Sequence, residues 1–295
     1  MRMDTRRCAL LVLTLASVGA AAWAGCGHTA VPAAQPSGAT TDSAAEGYLG
    51  SLVAGDDGAI AAAFADTPAI DDPFGGAVRG RQGLYAFVSA RHGWLAARAA
   101  RVTRGPITRA AGRTIVEATL RLHHEGRDVE LPIAVVGDDA TEGRVRALRV
   151  YHSFWPLEGK HHVRPRLLPR DPDAHAAGAV ADYQRALAAG DVDAIVATFE
   201  KDGYFREPSG APYVHRGQEL RTFMTQILAG GGIGIEHATV TDDGTTCAIE
   251  FNAVRFGKRP ITPQAGLAVY QRGPSGRLRA ARIYDDVNVE VLQQR

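Results

Sequence analysis

One stretch of sequence occurs twice in this chain, as YLGSLVAGDDGAIAAAFADTPAIDDP at Tyr48–Pro73 and as YQRALAAGDVDAIVATFEKDGYFREP at Tyr183–Pro208. Aligned without a gap, the two copies agree at 10 of 26 positions. Their offset of 135 residues is far longer than the roughly 20–50 residues of a solenoid repeat. The repeat therefore indicates a duplicated domain.

Length and composition agree with two globular domains. A chain of 295 residues has room for two domains of about 100–150 residues each. Its 45% hydrophobic and 22% charged residues are typical of globular proteins. A net charge of +1 gives no reason to expect a nucleic-acid partner, because proteins that bind nucleic acids present a strongly basic surface.

The N-terminus has the pattern of a signal peptide, which we place at residues 1–25. Three arginines in Met1–Arg7 precede an uncharged apolar run at Cys8–Ala24. Small residues before Cys26 resemble the cleavage box of bacterial lipoproteins, in which the cysteine becomes the lipidated N-terminus. This predicts an exported cell-membrane lipoprotein that faces the extracytoplasmic side. The alternatives are an ordinary cleaved signal and a short uncleaved anchor.

Composition divides the rest of the chain into four segments. Residues 26–42 are rich in Ala, Pro, Ser, Thr and Gly, which predicts a flexible tether. We place a first domain at 43–157 and a second at 174–295. The linker between them, 158–173, contains four basic residues and three prolines.

Within each domain, helical patterns precede strand-like alternation. The first copy predicts helices from a capping box at Ser43 and Glu46, from Asp56, and from near Arg81, with strands after Arg101. The second copy predicts helices at about 174–189, 192–200 and 217–228, and strands near 235–240, 246–256, 261–271 and 277–289. This order is typical of an α+β fold. A bent sheet whose concave side is closed by helices can enclose an apolar cavity.

The repeated motif resembles the nuclear transport factor 2-like superfamily, and within it the ketosteroid isomerases and SnoaL-like polyketide cyclases. The resemblance lies in the tyrosine, the Ala-Gly-Asp, the Ile and Phe pair, the acid-Asp-Pro turn and the Gly-Arg that opens the third helix. It implies two tandem cone-shaped α+β barrels, each with three helices packed on a curved antiparallel sheet. Members commonly pair through their sheets, so it also implies that the two domains pack together as an internal dimer.

The resemblance also implies a proton-transfer site in each copy. In the isomerases a tyrosine of the first helix and an aspartate of the acid-Asp-Pro turn are catalytic, and these match Tyr48 and Asp72. The second copy has Tyr183 and Glu207 at the same spacing. In such a site the carboxylate removes a proton next to a carbonyl group, and the phenol donates a hydrogen bond to the enolate oxygen.

The family's second oxyanion donor, an aspartate on a later strand, is missing from both copies. Ala134 takes its place in the first copy, and Ala265 or Gly266 in the second. Neither alanine nor glycine has a side chain that donates a hydrogen bond. Loss of one such donor typically lowers the rate by a factor on the order of 10²–10³.

Each candidate also has a structural interpretation. Asp72 can cap the turn before the proline, and Tyr48 can be a core tyrosine whose hydroxyl finds a backbone acceptor. If Arg206 pairs with Glu207, the pKa of that carboxyl is lowered and Glu207 is a poor base, which makes the second copy less catalytic than the first. The alternative is that Arg206 points outward, because adjacent strand residues face opposite sides.

Three further residues end the last strand and are candidate ligand-binding groups: Tyr284, Asp285 and Asp286. The alternative is that they are solvated residues at a strand end. The histidine pairs have no third ligand at a recognisable spacing, so we expect neither a metal nor a cofactor. Cys247 lies in an apolar stretch, where a buried, unreactive thiol is expected.

Two functions of different classes follow from these residues. The first is a ketosteroid-isomerase-like or cyclase-like catalyst of proton transfer on a hydrophobic carbonyl compound, with Asp72 as base and Tyr48 as donor. The second is a binding protein whose degenerate pockets hold a hydrophobic small molecule without changing it. The sequence leaves both open.

Overall fold

The computed structural model describes residues 43–141, 143–210 and 213–288. The predicted signal peptide, the tether and Cys26 lie outside the described residues. Within the described part, no helix is both long and apolar enough to cross a membrane.

The first half packs three helices against one six-stranded sheet. The helices are α1 (Ala44–Ala54), α2 (Asp57–Ala62) and α3 (Gly80–Ala96), and a short α4 (Trp155–Glu158) follows the last strand. The strands are β1 (Ala69–Asp72), β2 (Gly76–Arg79), β3 (Arg101–Ala110), β4 (Arg113–His124), β5 (Arg127–Asp139) and β6 (Val145–Tyr151). Their order in the sheet is β2-β1-β6-β5-β4-β3.

The second half repeats this arrangement. Its helices are α5 (Gly178–Ala189), α6 (Val192–Ala197) and α7 (Gly217–Ile227). Its strands are β7 (Phe199–Arg206), β8 (Val214–Arg216), β9 (Ile233–Asp242), β10 (Thr246–Phe256), β11 (Arg259–Arg272) and β12 (Leu278–Asp285). The order β8-β7-β12-β11-β10-β9 is that of the first sheet, and the prediction of two tandem α+β cones is confirmed.

The repeated Ala-Gly-Asp motif makes the corner between the first two helices of each half. Gly55 and Gly190 end the first helix with φ angles of 73° and 74°, a left-handed conformation that glycine adopts without strain. The next residue caps the second helix. An Asp56 oxygen accepts from the Ala59 N–H at 2.8 Å, and Asp191 does the same in the second copy.

Two sequence-based expectations need correction. Each sheet is mixed rather than antiparallel, because β1 runs parallel to β6 and β7 runs parallel to β12. The predicted acid-Asp-Pro turn is present and joins the strands of the β1–β2 hairpin, which was not predicted. The helix predicted at 192–200 ends at Ala197, and β7 begins at Phe199. These short strands have too few alternating apolar residues to be recognised by periodicity.

The two sheets pack against each other through their outer faces. A cluster of buried residues joins them, with members from both sheets: Ile115, Ala134, Val136, Tyr151, Ala248, Leu267, Val269 and Tyr284. Side chains alternate along a strand, so neighbours of these residues point to the other face and form a separate core inside each half.

A buried ion pair crosses this interface from the first half to the second. Arg149 Nε lies 2.6 Å from Glu250 Oε1, and the Tyr151 hydroxyl donates to the same oxygen at 2.8 Å. Asp138 pairs with the other side of the Arg149 guanidinium at 2.6 Å. The charges are therefore compensated although both the arginine and the glutamate are buried.

The equivalent pair crosses in the opposite direction. Arg282 Nε lies 2.5 Å from Glu117 Oε2, and the Tyr284 hydroxyl donates to that oxygen at 2.6 Å. Each half thus supplies an arginine and a tyrosine to the glutamate of the other half. Such reciprocity is the contact pattern of a two-fold interface between equal subunits.

We expect Glu117→Gln to lower the free energy of unfolding by about 3–5 kcal/mol, because it leaves the Arg282 charge buried without its carboxylate. Urea unfolding measures the change. The control is Glu130→Gln, which breaks the exposed pair with Arg121, whose side chains are 46% and 62% exposed. That substitution should cost less than about 1 kcal/mol. Equal effects of the two substitutions would contradict the role given to the buried pair.

Candidate functional site

The second half encloses a cavity of about 370 Å³ between its helices and the concave face of its sheet. This volume lies in the range of small-molecule sites. The wall is mostly apolar and aromatic, and includes Leu187, Phe205, Phe223, Ile227, Ile233, Ile235, Phe251, Phe256, Tyr270, Ile283 and Val287. Polar groups reach it from Tyr183, Glu207 and Asp285, three of the residues predicted from the sequence.

Tyr183 reaches the cavity from α5. Its ring is buried and packs 5.3 Å from the ring of Tyr270, measured between centroids. Its hydroxyl has no hydrogen-bond partner within the described part of the chain. Burial raises the pKa of this phenol, so it is protonated at neutral pH and can donate to an oxygen in the cavity.

Glu207 follows β7 directly and is oriented by a histidine from the paired strand. His215 Nε2 donates to Glu207 Oε1 at 2.5 Å. The imidazole is itself held by stacking on Phe223, with the two ring centroids 4.1 Å apart. Of the two orientations considered for Arg206, the structure has the one that does not pair with Glu207, since the Arg206 guanidinium lies over the ring of Tyr284 at 4.7 Å.

Sequence reasoning missed His215. The hairpin β7–β8 brings the histidine next to the glutamate, since Phe205 is opposite His215 in the register. The hairpin itself was not predicted, so nothing linked the two residues. A strand prediction for 214–216 would have been the signal that could find the pair.

Asp285 reaches the cavity from the end of β12. One of its oxygens accepts from the Val287 N–H at 3.3 Å. It lines the cavity and is partly buried. This burial, with the nearby charge of Asp286, raises the pKa of Asp285 to about 7. At and below neutral pH the carboxyl can therefore keep its proton and donate a hydrogen bond.

The other two candidates of the last strand do not line the cavity. The Tyr284 hydroxyl is engaged with Glu117 across the interface. Asp286 accepts from the side chains of Ser153 and His161 at 2.6 and 2.7 Å, and from the backbone N–H groups of Phe154 and His162. Asp286 thus fastens the segment after β6 to the second half.

The first half brings Tyr48 and Asp72 into the same buried region. The Tyr48 hydroxyl is buried without a hydrogen-bond partner among the described residues. Asp72 Oδ1 accepts from the Phe74 N–H at 2.8 Å, which is the turn-capping arrangement. Burial raises the pKa of the Tyr48 phenol, and the neighbouring Asp72 charge raises it further.

A ligand-sized space beside these two groups is absent from the described part of the first half. The cavity that Asp72 lines measures only about 10 Å³, less than one water molecule needs. Arg91 fills the region, with its guanidinium 3.2 Å from the ring centre of Phe74 and 4.2 Å from that of Trp94. In the described residues of the first copy, Asp72 therefore has no space beside it that would hold a substrate.

Side-chain size explains why one half is filled and the other hollow. Three residues of the second cavity wall are smaller than their counterparts in the repeat, and the pairs are Phe74 and Ser209, Leu120 and Ala253, and Val135 and Ala268. The Phe74 ring also packs on His152 and Phe154 at 4.8 and 4.7 Å. Burial lowers the pKa of His152 to about 3, so this imidazole is a neutral filler.

The position assigned to the missing second donor also needs correction. Ala134 lies opposite Glu117 of β4, and Leu267 lies opposite Glu250 of β10. Since the two glutamates are equivalent in the repeat, Leu267 is the counterpart of Ala134. Both side chains belong to the cluster between the sheets. They point away from the cavity, and the assignment of Ala265 or Gly266 as the counterpart of Ala134 is wrong.

Metal-binding clusters and reactive thiols are both absent from the described residues. No cluster of three His, Cys, Asp or Glu side chains there is arranged to hold a metal ion. Cys247 is buried, and burial raises the pKa of its thiol to about 12, which keeps it protonated and unreactive.

We expect the free energy of unfolding to fall as pH rises from about 4 to about 7 through Asp285. Its folded pKa lies above that of the unfolded chain, so in this window only the folded state keeps the proton. The slope is at most about 1.4 kcal/mol per pH unit. Asp285→Asn removes this contribution, and urea unfolding at pH 5 and pH 7.5 measures the difference. Asp128→Asn, at an exposed site, is the control; identical pH dependence in wild type and Asp285→Asn would contradict the assignment.

Comparison with known proteins places the second half in a family. Residues 180–281 match the model of the SnoaL-like domain. No curated protein matches the chain. Among solved structures, an epoxide hydrolase/cyclase-like enzyme, SalBIII, of pyran ring formation in the polyether salinomycin is 24% identical over 36% of this chain and 87% of its own, with a TM-score of 0.31.

Two other solved structures are similar over comparable lengths. A hypothetical protein with a ketosteroid isomerase-like fold from Catenulispora acidiphila, in complex with trimethylamine, is 18% identical over 41% of this chain and 92% of its own, with a TM-score of 0.35. An NTF2-like protein of unknown function from Cytophaga hutchinsonii is 15% identical over 35% of this chain and 90% of its own, with a TM-score of 0.30. By the family model, residues 180–281 form a SnoaL-like domain.

Proposed function

We propose that the second half binds a hydrophobic carbonyl compound in its cavity and catalyses proton transfer on it. One observation carries the proposal: a phenol, a carboxylate and a carboxyl group from three different elements line a single apolar cavity of about 370 Å³. Groups able to accept and donate protons in a water-poor pocket are the requirements for enolisation.

Glu207 is the base in this proposal. It lines the cavity and its carboxylate is held by the N–H of His215. Fixed orientation matters because a base acts only when it lies within hydrogen-bond reach of the proton that it removes. His215 is a positioning residue.

Tyr183 and Asp285 are the hydrogen-bond donors in this proposal. Burial keeps the phenol protonated, and the raised pKa of Asp285 keeps its carboxyl protonated up to about pH 7. Two neutral donors can share the charge that develops on an enolate oxygen. Asp285 would thus supply the second donor that the positions of Ala134 and Leu267 lack.

The proposal extends to assembly and location. We propose that the two halves act as an internal dimer, in which the filled first half supports the hollow second half. The reciprocal pairs at Glu117 and Glu250 support this assignment. We also propose that the protein is an exported lipoprotein anchored through Cys26, on the strength of the N-terminal pattern.

Glu207→Gln should lower the turnover of a β,γ-unsaturated ketosteroid, followed by the absorbance of the conjugated product, by a factor of about 10²–10⁴, because general-base catalysis contributes that much. Asp72→Asn is the matched control in the first half and should leave turnover unchanged. A wild-type protein that is stabilised by the steroid but does not convert it would favour the binding function instead. Equal loss in both variants would contradict the assignment to the second half.

Cys26→Ser should abolish lipid attachment and release the protein from the membrane fraction of a bacterial host that processes lipoproteins. Labelling with a radioactive fatty acid, followed by fractionation, measures both effects. Cys247→Ser is the control, since that thiol is buried. Lipid label retained on Cys26→Ser would exclude the proposed anchor.

A further inference from the structure

A second concave site lies on the first half and takes no part in the proposed catalysis. It is an open groove of about 630 Å³ between α3 and the β1–β2 hairpin. Three aromatic side chains line it, from Phe74, Phe87 and Trp94, together with Arg79 and Arg91. The groove shares no lining residue with the cavity of the second half.

Arg91 is the unusual group in this groove. Its side chain is largely buried, with 6% of the residue exposed, and its guanidinium contacts the rings of both Phe74 and Trp94. Within the described part of the chain, no acceptor makes a hydrogen bond to it. A guanidinium carries five N–H donors, and Arg91 lines the groove, so a ligand bound there can accept from it.

Asp72 does not occupy the N–H donors of Arg91. The Asp72 charge favours the charged form of Arg91. However, no nitrogen of Arg91 comes within the 4.0 Å that defines an ion pair with that carboxylate. Asp72 Oδ1 instead accepts from the Phe74 backbone. The carboxylate therefore compensates the charge from a distance and leaves the guanidinium donors to another acceptor.

Two more arginines lie near Arg91. The Arg98 guanidinium lies 4.0 Å from the ring centre of Trp94. Arg79 borders the groove and is 54% exposed, but Asp71 pairs with it. A ligand in the groove is therefore met by aromatic surfaces and by the guanidinium of Arg91.

We propose that this groove is a binding site for a small aromatic carboxylate, whose carboxylate accepts hydrogen bonds from Arg91 while its ring packs on Phe87 and Trp94. Arginine binds carboxylates through two parallel N–H···O bonds. Aromatic side chains favour offset or edge contacts with the ligand ring. The ligand binds at this site without reacting, and binding is independent of the proton-transfer function proposed for the second half.

Isothermal titration with 2-naphthoate and with its neutral amide, 2-naphthamide, tests the site. We expect the acid to bind with a Kd at least tenfold lower than that of the amide. Arg91→Met should remove this preference. Ser209→Phe, which narrows the cavity of the second half, should leave the binding of naphthoate unchanged and is the matched control.

A second variant covers the case in which Arg91→Met does not fold because Asp72 is left uncompensated. Arg91→Met combined with Asp72→Asn replaces both charges with neutral side chains of similar size, and circular dichroism checks its fold. Either folded variant should lose the preference for the acid. Equal affinities of the wild type for acid and amide, or naphthoate binding that survives loss of Arg91 but not Ser209→Phe, would overturn the proposal.

Discussion

Two buried glutamates, Glu117 and Glu250, hold this molecule together. Each carboxylate accepts hydrogen bonds from an arginine and a tyrosine of the opposite half, so the buried negative charge of one half is compensated by the other. Moving an arginine and a glutamate out of water costs several kcal/mol per ion. Their pairing offsets this cost only when the two sheets are packed together. The interface therefore demands a definite register between the sheets, and that register orients both concave faces away from each other.

With the outer faces occupied in this way, the inner faces have diverged. The first half fills its concave side with Phe74, Arg91 and His152, and gains a dense aromatic core. The second half has Ser209 and small alanines along the equivalent wall, and keeps an apolar cavity with ionisable groups on it. A duplicated domain can lose internal volume in one copy without losing the fold, because the fold depends on the sheet interface and the helix corners. In this molecule, the copy that keeps the cavity is the one whose cavity wall carries Tyr183, Glu207 and Asp285.

The sequence predicted those elements whose conformation depends on residues that are close together in the chain. The Gly-Asp corners follow from backbone conformation and helix capping at Gly55 and Asp56, and the long strands follow from alternation. Tertiary contacts decided the rest. The pairing of Glu207 with His215 depends on a short hairpin, and the space taken by Arg91 depends on stacking between rings distant in sequence. Neither leaves a mark in spacing, and so the sequence could not predict which half keeps a cavity.

The cavity of the second half is not built by the second half alone. Trp155 and His161, which follow the last strand of the first sheet, lie in its wall, stacked on each other with ring centroids 4.9 Å apart. Asp286 fastens the same segment by four hydrogen bonds. A fragment of the chain that begins after the connecting peptide would therefore lack two residues of the cavity wall. The shape of the cavity thus depends on residues from both halves.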